Sequence, residues 1–174
     1  MTTEATVRTF FSSPNFAVVG ASSNPAKYGH KGFIPPPPSP QQISHSHFHS
    51  VFAWYTAHSL PVTPINPTTP EISVSSATYK TVPSLSALAD PKQTSVSVIT
   101  PPKATIAVLR EAKELGVPAV WMQPGSFDDE VLAFARGDEA GGFKAVVAGE
   151  GGRGSEGWCV LVDGERGLKA AGKL

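Results

Sequence analysis

Four apolar residues, Phe16-Ala17-Val18-Val19, run without a polar break into Gly20-Ala21-Ser22-Ser23-Asn24-Pro25. An apolar, β-branched run of that length, stopped by glycine, predicts a strand buried on both faces and then a tight turn. Such strands belong to parallel sheets whose two faces are covered by helices. Glycine at the strand tip takes dihedrals other residues resist and lets a ligand approach the backbone. Small residues after it leave the amides uncovered, and a following helix would add its dipole. The turn is therefore a candidate anion site at the carboxyl end of the strand, where open α/β sheets bind nucleotides. An ordinary strand-to-loop turn accounts for the same ten residues equally well.

The rest of the chain repeats the alternation. Thr3–Phe11 reads as a helix capped by Thr3, with Val7, Phe10 and Phe11 on one face to cover the sheet. Further strands are expected at Val62–Ile65, Thr81-Val82, Ser95–Thr100 and Pro118–Met122, with an additional one at Ala145–Val147 and a last one at Trp158–Val162. Pro83–Leu88 reads as a helical turn capped by Ser84. Lys103–Leu115 has the clearest helical stripe, Ile106, Leu109, Ala112 and Leu115, ended by Gly116. A further helix, capped by Ser126, has Asp128 and Asp129 in its first turn and Val131, Leu132, Phe134 and Ala135 inside.

One segment breaks the pattern. Lys27–Lys31 starts a helix that Val51–His58 resumes, but Gly32–Ser50 between them carries Pro35-Pro36-Pro37-Pro38 and then a Ser/His tract. Four prolines forbid a helix and favour polyproline II, and the tract has no packing period, so the segment reads as a disordered or extruded insertion. Its codon bias would suit a translated intron, which transcript sequencing tests. The expected organisation is a lead-in with its helix at 1–15, a domain at 16–163 interrupted at 32–50, and a frayed tail at 164–174. The fold class is α/β: a doubly wound parallel sheet, Rossmann-like, three layers in one domain, strand order 3-2-1-4-5.

Composition removes several function classes. Fourteen basic and fourteen acidic residues cancel, so nucleic acid is not the expected partner. No apolar run approaches the roughly 20 residues that span a membrane, and the first residues lack the pattern of a secretory signal. Cys159 is the single cysteine, which fits a reducing, cytoplasmic setting; it reads as a packed thiol on an apolar strand. No nucleophile turn, carboxylate pair or Cys/His couple emerges, so no catalytic residue is assigned. His45, His47 and His49 lack partners at metal spacing, so no metal site is assigned.

Which nucleotide follows from departures. The dinucleotide fingerprint needs G-x-G-x-x-G and an acid after the second strand. This chain has one glycine in place, and Asn66-Pro67 where the acid would stand. Both departures argue against NAD, and the phosphate loop of ATPases is absent.

The Gly-Ala-Ser-Ser-Asn-Pro turn, Pro64-Ile65-Asn66-Pro67, Tyr79 to Leu88, Thr100-Pro101-Pro102 and Trp121-Met122-Gln123-Pro124-Gly125 come in an order that resembles the CoA-binding domain family. These are Rossmann-like proteins similar to the CoA-binding domain of the succinyl-CoA synthetase alpha subunit. The resemblance implies coenzyme A or an acyl-CoA as ligand. It would place the pyrophosphate on Gly20, Ala21 and Ser22, with Ser23, Lys27 and Tyr28 nearby and Lys27, Lys31 or Lys103 supplying charge. Asn66, Pro67 and Thr68 would border the adenosine, and Thr100, Pro101 and Pro102 would form the opposite wall. The expected function is binding without catalysis of its own. Two alternatives stay open: a subunit or relative of an acyl-CoA ligase or NAD(P)-dependent enzyme, and a pseudo-domain that binds nothing. An exposed edge strand would allow a homodimer.

Overall fold

The computed structural model describes residues 1–22, 51–74, 76–137, 142–153 and 157–174. Five parallel strands form the central sheet: β1 (Asn15–Val19), β2 (Val62–Ile65), β5 (Thr94–Val98), β6 (Ala119–Met122) and β7 (Ala145–Val147). Their order is β2-β1-β5-β6-β7. Phe16 stands opposite Val62 on one side and Ser95 on the other. The chain thus leaves β1 toward β2 and later returns to β1's other flank at β5, which makes β1/β5 the switch point of the sheet. The expected order holds, with β7 added at one end. The run Thr81-Val82 is reduced to one parallel bridge, Val82 to Ile65.

Alternation along β1 sorts its side chains into two cores. Phe16 and Val18 join Val7, Phe10, Phe11, Trp54, Tyr55 and Trp121 on one face. Ala17 and Val19 join Leu109, Ala112, Val131 and Ala135 on the other. The first face is covered by α1 (Glu4–Phe11), α2 (Val51–Ala57) and α5 (Val160–Ala170), the second by α3 (Pro102–Glu114) and α4 (Asp129–Arg136). The first face is aromatic: Phe10 and Phe11 meet Trp121 edge-on at 5.5 and 5.7 Å, and Phe16 lies 5.4 Å from Tyr55. Small strand residues make room there and are satisfied by hydrogen bonds. Ser95 Oγ donates to the Phe10 carbonyl at 2.8 Å, and Ser97 Oγ pairs with the Tyr55 hydroxyl at 2.8 Å. Burial pushes the Tyr55 phenol well above its ordinary value, and the Ser97 bond offsets part of that shift.

Helix α1 forms as its sequence predicts. Thr3 accepts from the Thr6 amide, Thr6 returns the bond, and Val7, Phe10 and Phe11 are buried. Helix α3 also matches, with Gly116 at φ +73 past its end, although Thr105 rather than Ile106 is buried beside Leu109 and Ala112. The cap of α4 differs from expectation. Asp128, not Ser126, accepts from the Val131 amide, while Ser126 Oγ turns back to the Gln123 carbonyl at 2.7 Å. Ser84 precedes a short 3-10 turn, Leu85–Ala87, without capping it through its side chain. An antiparallel hairpin, β3 (Glu71–Val74) with β4 (Ala77–Lys80), follows β2 and was not anticipated. It packs Tyr79 against Phe52, ring centroids 5.0 Å apart.

The carboxyl-terminal region overturns two expectations. Trp158–Val162 is not a strand, and Gly164–Leu174 is not a frayed tail: helix α5 starts at Val160 and runs to Ala170, with Val160, Gly164, Gly167 and Leu168 buried. Cys159 is the residue before the helix, half-buried rather than seated on a strand. Its amide donates to Asp163 Oδ2 at 3.1 Å and the Val160 amide to Gln123 Oε1 at 2.9 Å, so two side chains satisfy the helix start. Among the described residues no helix is long and apolar enough to cross a membrane.

Candidate functional site

The tips of β1, β2 and β5 open into a cleft of about 490 Å³ at the carboxyl edge of the sheet. Its lining includes Gly20 and Ser22 after β1, Asn66, Pro67 and Thr68 after β2, and Thr100 and Pro101 after β5. Three segments far apart in sequence thus meet at the switch point, because parallel strands bring all their carboxyl ends to one edge. The floor is apolar, with Val19, Ile65, Leu85 and Ile99. Glu111, on α3, is the charged residue among the described lining, and its Oε1 accepts from the Ser86 amide at 2.9 Å.

Each wall has a local cause. Gly20 holds φ +92, and a Cβ there would stand 3.0 Å from Ile99 Cγ1 and 3.3 Å from Thr100 Cγ2. Glycine is therefore required both by conformation and by the approach of β5's tip. Its N–H donates to the Ile65 carbonyl at 3.0 Å and so extends the sheet ladder rather than pointing an unused donor into the cleft. Ala21 is buried in the aromatic-face core and does not line the cleft, but its carbonyl accepts from Asn66 Nδ2 at 2.9 Å.

Asn66 is the hub of the second wall. While Nδ2 holds the turn after β1, Oδ1 accepts from the Thr68 amide and hydroxyl, both 2.9 Å, and the Thr69 amide, 3.2 Å. An asparagine side chain that closes a turn on the amides two and three residues ahead is an Asx turn. With Oδ1 so engaged, the residue does not present the free acceptor that a ribose-clamping carboxylate would.

The third wall is the start of α3. Pro101 precedes the helix and Pro102 opens it, outside the cleft lining. Proline suits that position, where its missing N–H would have no intrahelical partner. Thr105, fully buried, closes the corner by donating to the Thr100 carbonyl at 2.9 Å. Ser23, Lys27, Tyr28, Lys31 and the histidines of 32–50 lie outside the described residues. Lys103 is exposed on the first turn of α3 and is not part of the lining.

The sequence reading missed Ser84, Leu85, Ala104, Val108 and Glu111, which also line the cleft. Three of these lie on α3, Ala104 in its first turn and Val108 and Glu111 in its second and third, where a helix face next to a strand tip would have been the signal.

An open parallel sheet with an apolar-floored cleft at its switch point, walled by a glycine turn, an Asx turn and a helix start, defines a nucleotide-binding type of α/β domain. Within that class the chain belongs to the CoA binding domain family, whose model matches residues 39–148. That match covers β2 through β7 and does not include β1 or the Gly20–Ser22 turn. Among solved structures, a protein from Pyrococcus horikoshii OT3 described as hypothetical is 24% identical, with TM-score 0.63 over 96% of this chain and 93% of that one. A Thermus thermophilus protein, cell-free ID.343, is also 24% identical, with TM-score 0.60 over 95% of this chain and 99% of that one. Both likenesses extend to the fold. No curated protein sequence matches the chain.

Proposed function

We propose that the protein binds coenzyme A or an acyl-CoA across the Gly20–Ser22 turn, as a binding module without catalysis of its own. The observation that carries this reading is the convergence of Gly20, Ser22, Asn66, Thr68, Thr100 and Pro101 on one cleft, in a chain of the CoA binding domain family. The pyrophosphate lies over the turn after β1, where Gly20 and Ser22 line the cleft. The adenosine lies between Asn66-Pro67-Thr68 and the start of α3, against the floor of Ile65 and Leu85. The shape of the cleft supports this placement: a mostly apolar cavity with a few fixed polar groups suits a base and sugar. The engaged Oδ1 of Asn66 favours CoA over NAD, whose ribose calls for an acidic acceptor at that tip.

A thermal-shift series with CoA, acetyl-CoA, NAD, NADP and ATP tests the reading, because a ligand that binds only the folded state raises its stability. CoA or acetyl-CoA is expected to raise the midpoint, and NAD and ATP are not. Stabilisation by NAD alone would overturn the proposal. Stabilisation by CoA only after deletion of residues 32–50 would favour the pseudo-domain.

A further inference from the structure

Glu111, the charged residue among the described lining of the cleft, stands on α3 in one column with Ala104 and Val108 at helical spacing. The column runs roughly 10 Å along the helix axis from Ala104 to Glu111. It leads from the strand tips into the slot between α3 and the 3-10 turn Leu85–Ala87. Glu111 Oε1 bridges the slot by accepting from the Ser86 amide at 2.9 Å, near the start of that turn, which the Ser84 side chain leaves uncapped. Among the described residues Oε2 accepts no hydrogen bond, and the carboxylate forms no ion pair. The cations beside it on the helix are turned to α4: Arg110 lies 5.8 Å from the Phe134 ring, and Lys113 donates to the Phe134 carbonyl at 2.7 Å. An uncompensated carboxylate in a cleft proposed to take a polyanion costs affinity unless a donor on the ligand meets it.

We propose that Glu111 selects the base of the ligand: its Oε2 accepts a hydrogen bond from the exocyclic amine of an adenine seated in the slot. The inference rests on the CoA reading above and names the group that chooses the base. Phosphates over the Gly20–Ser22 turn leave the base to the slot, where Ile65, Leu85 and Val108 offer it apolar walls and Glu111 stands at the far end. The carboxylate is held in place before a ligand arrives, because Oε1 is tied to Ser86. The same tie sets the selectivity. Guanine presents two parallel donors, a ring N–H and an amine, and calls for both oxygens of a carboxylate. Hypoxanthine turns a carbonyl oxygen toward the carboxylate where adenine has its amine. One open oxygen matches the single amine of adenine.

Calorimetric titration with CoA and with its hypoxanthine counterpart, in which a carbonyl replaces the exocyclic amine, tests the assignment. The unaltered protein is expected to bind CoA roughly ten- to a hundredfold more tightly than the counterpart. Glu111→Gln keeps an oxygen for the Ser86 amide and sets an NH₂ donor where Oε2 stands, so the preference should vanish or invert. Glu111→Ala, which removes the acceptor without supplying a donor, should abolish the preference and decides the matter if Glu111→Gln fails to fold. A carboxylate that only holds the 3-10 turn leaves the base preference the same in variant and unaltered protein, and that result would overturn the inference. So would a variant that binds both compounds more tightly in an unchanged ratio, since the charge would then only repel phosphates. If the unaltered protein binds neither compound, the CoA reading itself falls and takes this inference with it. If it binds both equally, only the assignment of Glu111 falls.

Discussion

Asn66 joins two strand tips through four side-chain hydrogen bonds, one back to Ala21 and three forward to Thr68 and Thr69. Replacing it by aspartate keeps the forward acceptor but points a carboxylate oxygen at the Ala21 carbonyl. Asn66→Asp is therefore expected to lose about 1–3 kcal/mol in urea unfolding, the usual cost of breaking a partly buried bond and leaving its partner unpaired. It should also weaken CoA by more than Asn66→Ala does, because the new charge would stand against the Ala21 carbonyl, in the turn over which the pyrophosphate is proposed to lie.

Tyr55 carries the pH dependence at this scale. Its folded phenol is held protonated by burial, above the ordinary value of about 10 that the unfolded chain shows. A raised folded value means that the stabilisation is complete below about pH 10 and is lost as pH climbs toward the folded value, because only the unfolded state releases its proton. Lys173 acts in the opposite sense: burial holds its ammonium below the usual value, so its penalty disappears as pH approaches the ordinary lysine range. Denaturation midpoints measured from pH 8 to 11 should fall at the alkaline end. Tyr55→Phe should flatten that fall while costing about 1 kcal/mol at neutral pH for the lost Ser97 bond.

Helix α5 is held at the scale of whole elements by two glycines. A Cβ on Gly164 would stand 2.3 Å from Trp54 Cζ2, and one on Gly167 would stand 2.5 Å from Val7 Cγ1 and 2.6 Å from Phe11 Cε2. These positions let α5 lie against α1 and α2 at backbone distance. Helix propensity alone says that Gly164→Ala should stabilise by about 1 kcal/mol. The contact says the reverse, since neither the helix nor a fully packed indole has room to give. Gly164→Ala and Gly167→Ala are each expected to destabilise by about 1–3 kcal/mol, read as a lower urea midpoint with an unchanged slope. A stabilised Gly164→Ala would show that α5 moves freely over Trp54. The same glycines explain why the segment reads as a tail in the sequence: they lower helical propensity at every turn, and their packing partners are more than a hundred residues away.

For the whole molecule, the cleft is made by β1, β2 and β5 together, so a ligand there ties three tips and must stabilise the fold as a unit. At a CoA concentration about a hundredfold above its dissociation constant, linkage gives about 2.7 kcal/mol. For a chain of this size that corresponds to a rise in Tm of about 5–10 °C. Asn66→Asp should reduce the rise more than it reduces the Tm of the free protein.

What the sequence determined by itself is what local chemistry settles. The apolar run into Gly20 dictated a buried strand and its turn, Thr3 and Val7-Phe10-Phe11 dictated α1, and the stripe around Leu109 dictated α3, because period and caps act within a few residues. The order of the elements likewise dictated a doubly wound sheet, since right-handed crossovers leave few other arrangements. Only the tertiary structure decided the rest. It made Trp158–Val162 the entry to a helix, because Gln123 and Asp163 satisfy amides there and the sheet offers that segment a face to cover rather than an edge to join. It gave the α4 cap to Asp128 and placed Glu111 and Ala104 beside the strand tips. Those outcomes depend on contacts between residues distant in the chain, and no local period or propensity encodes them.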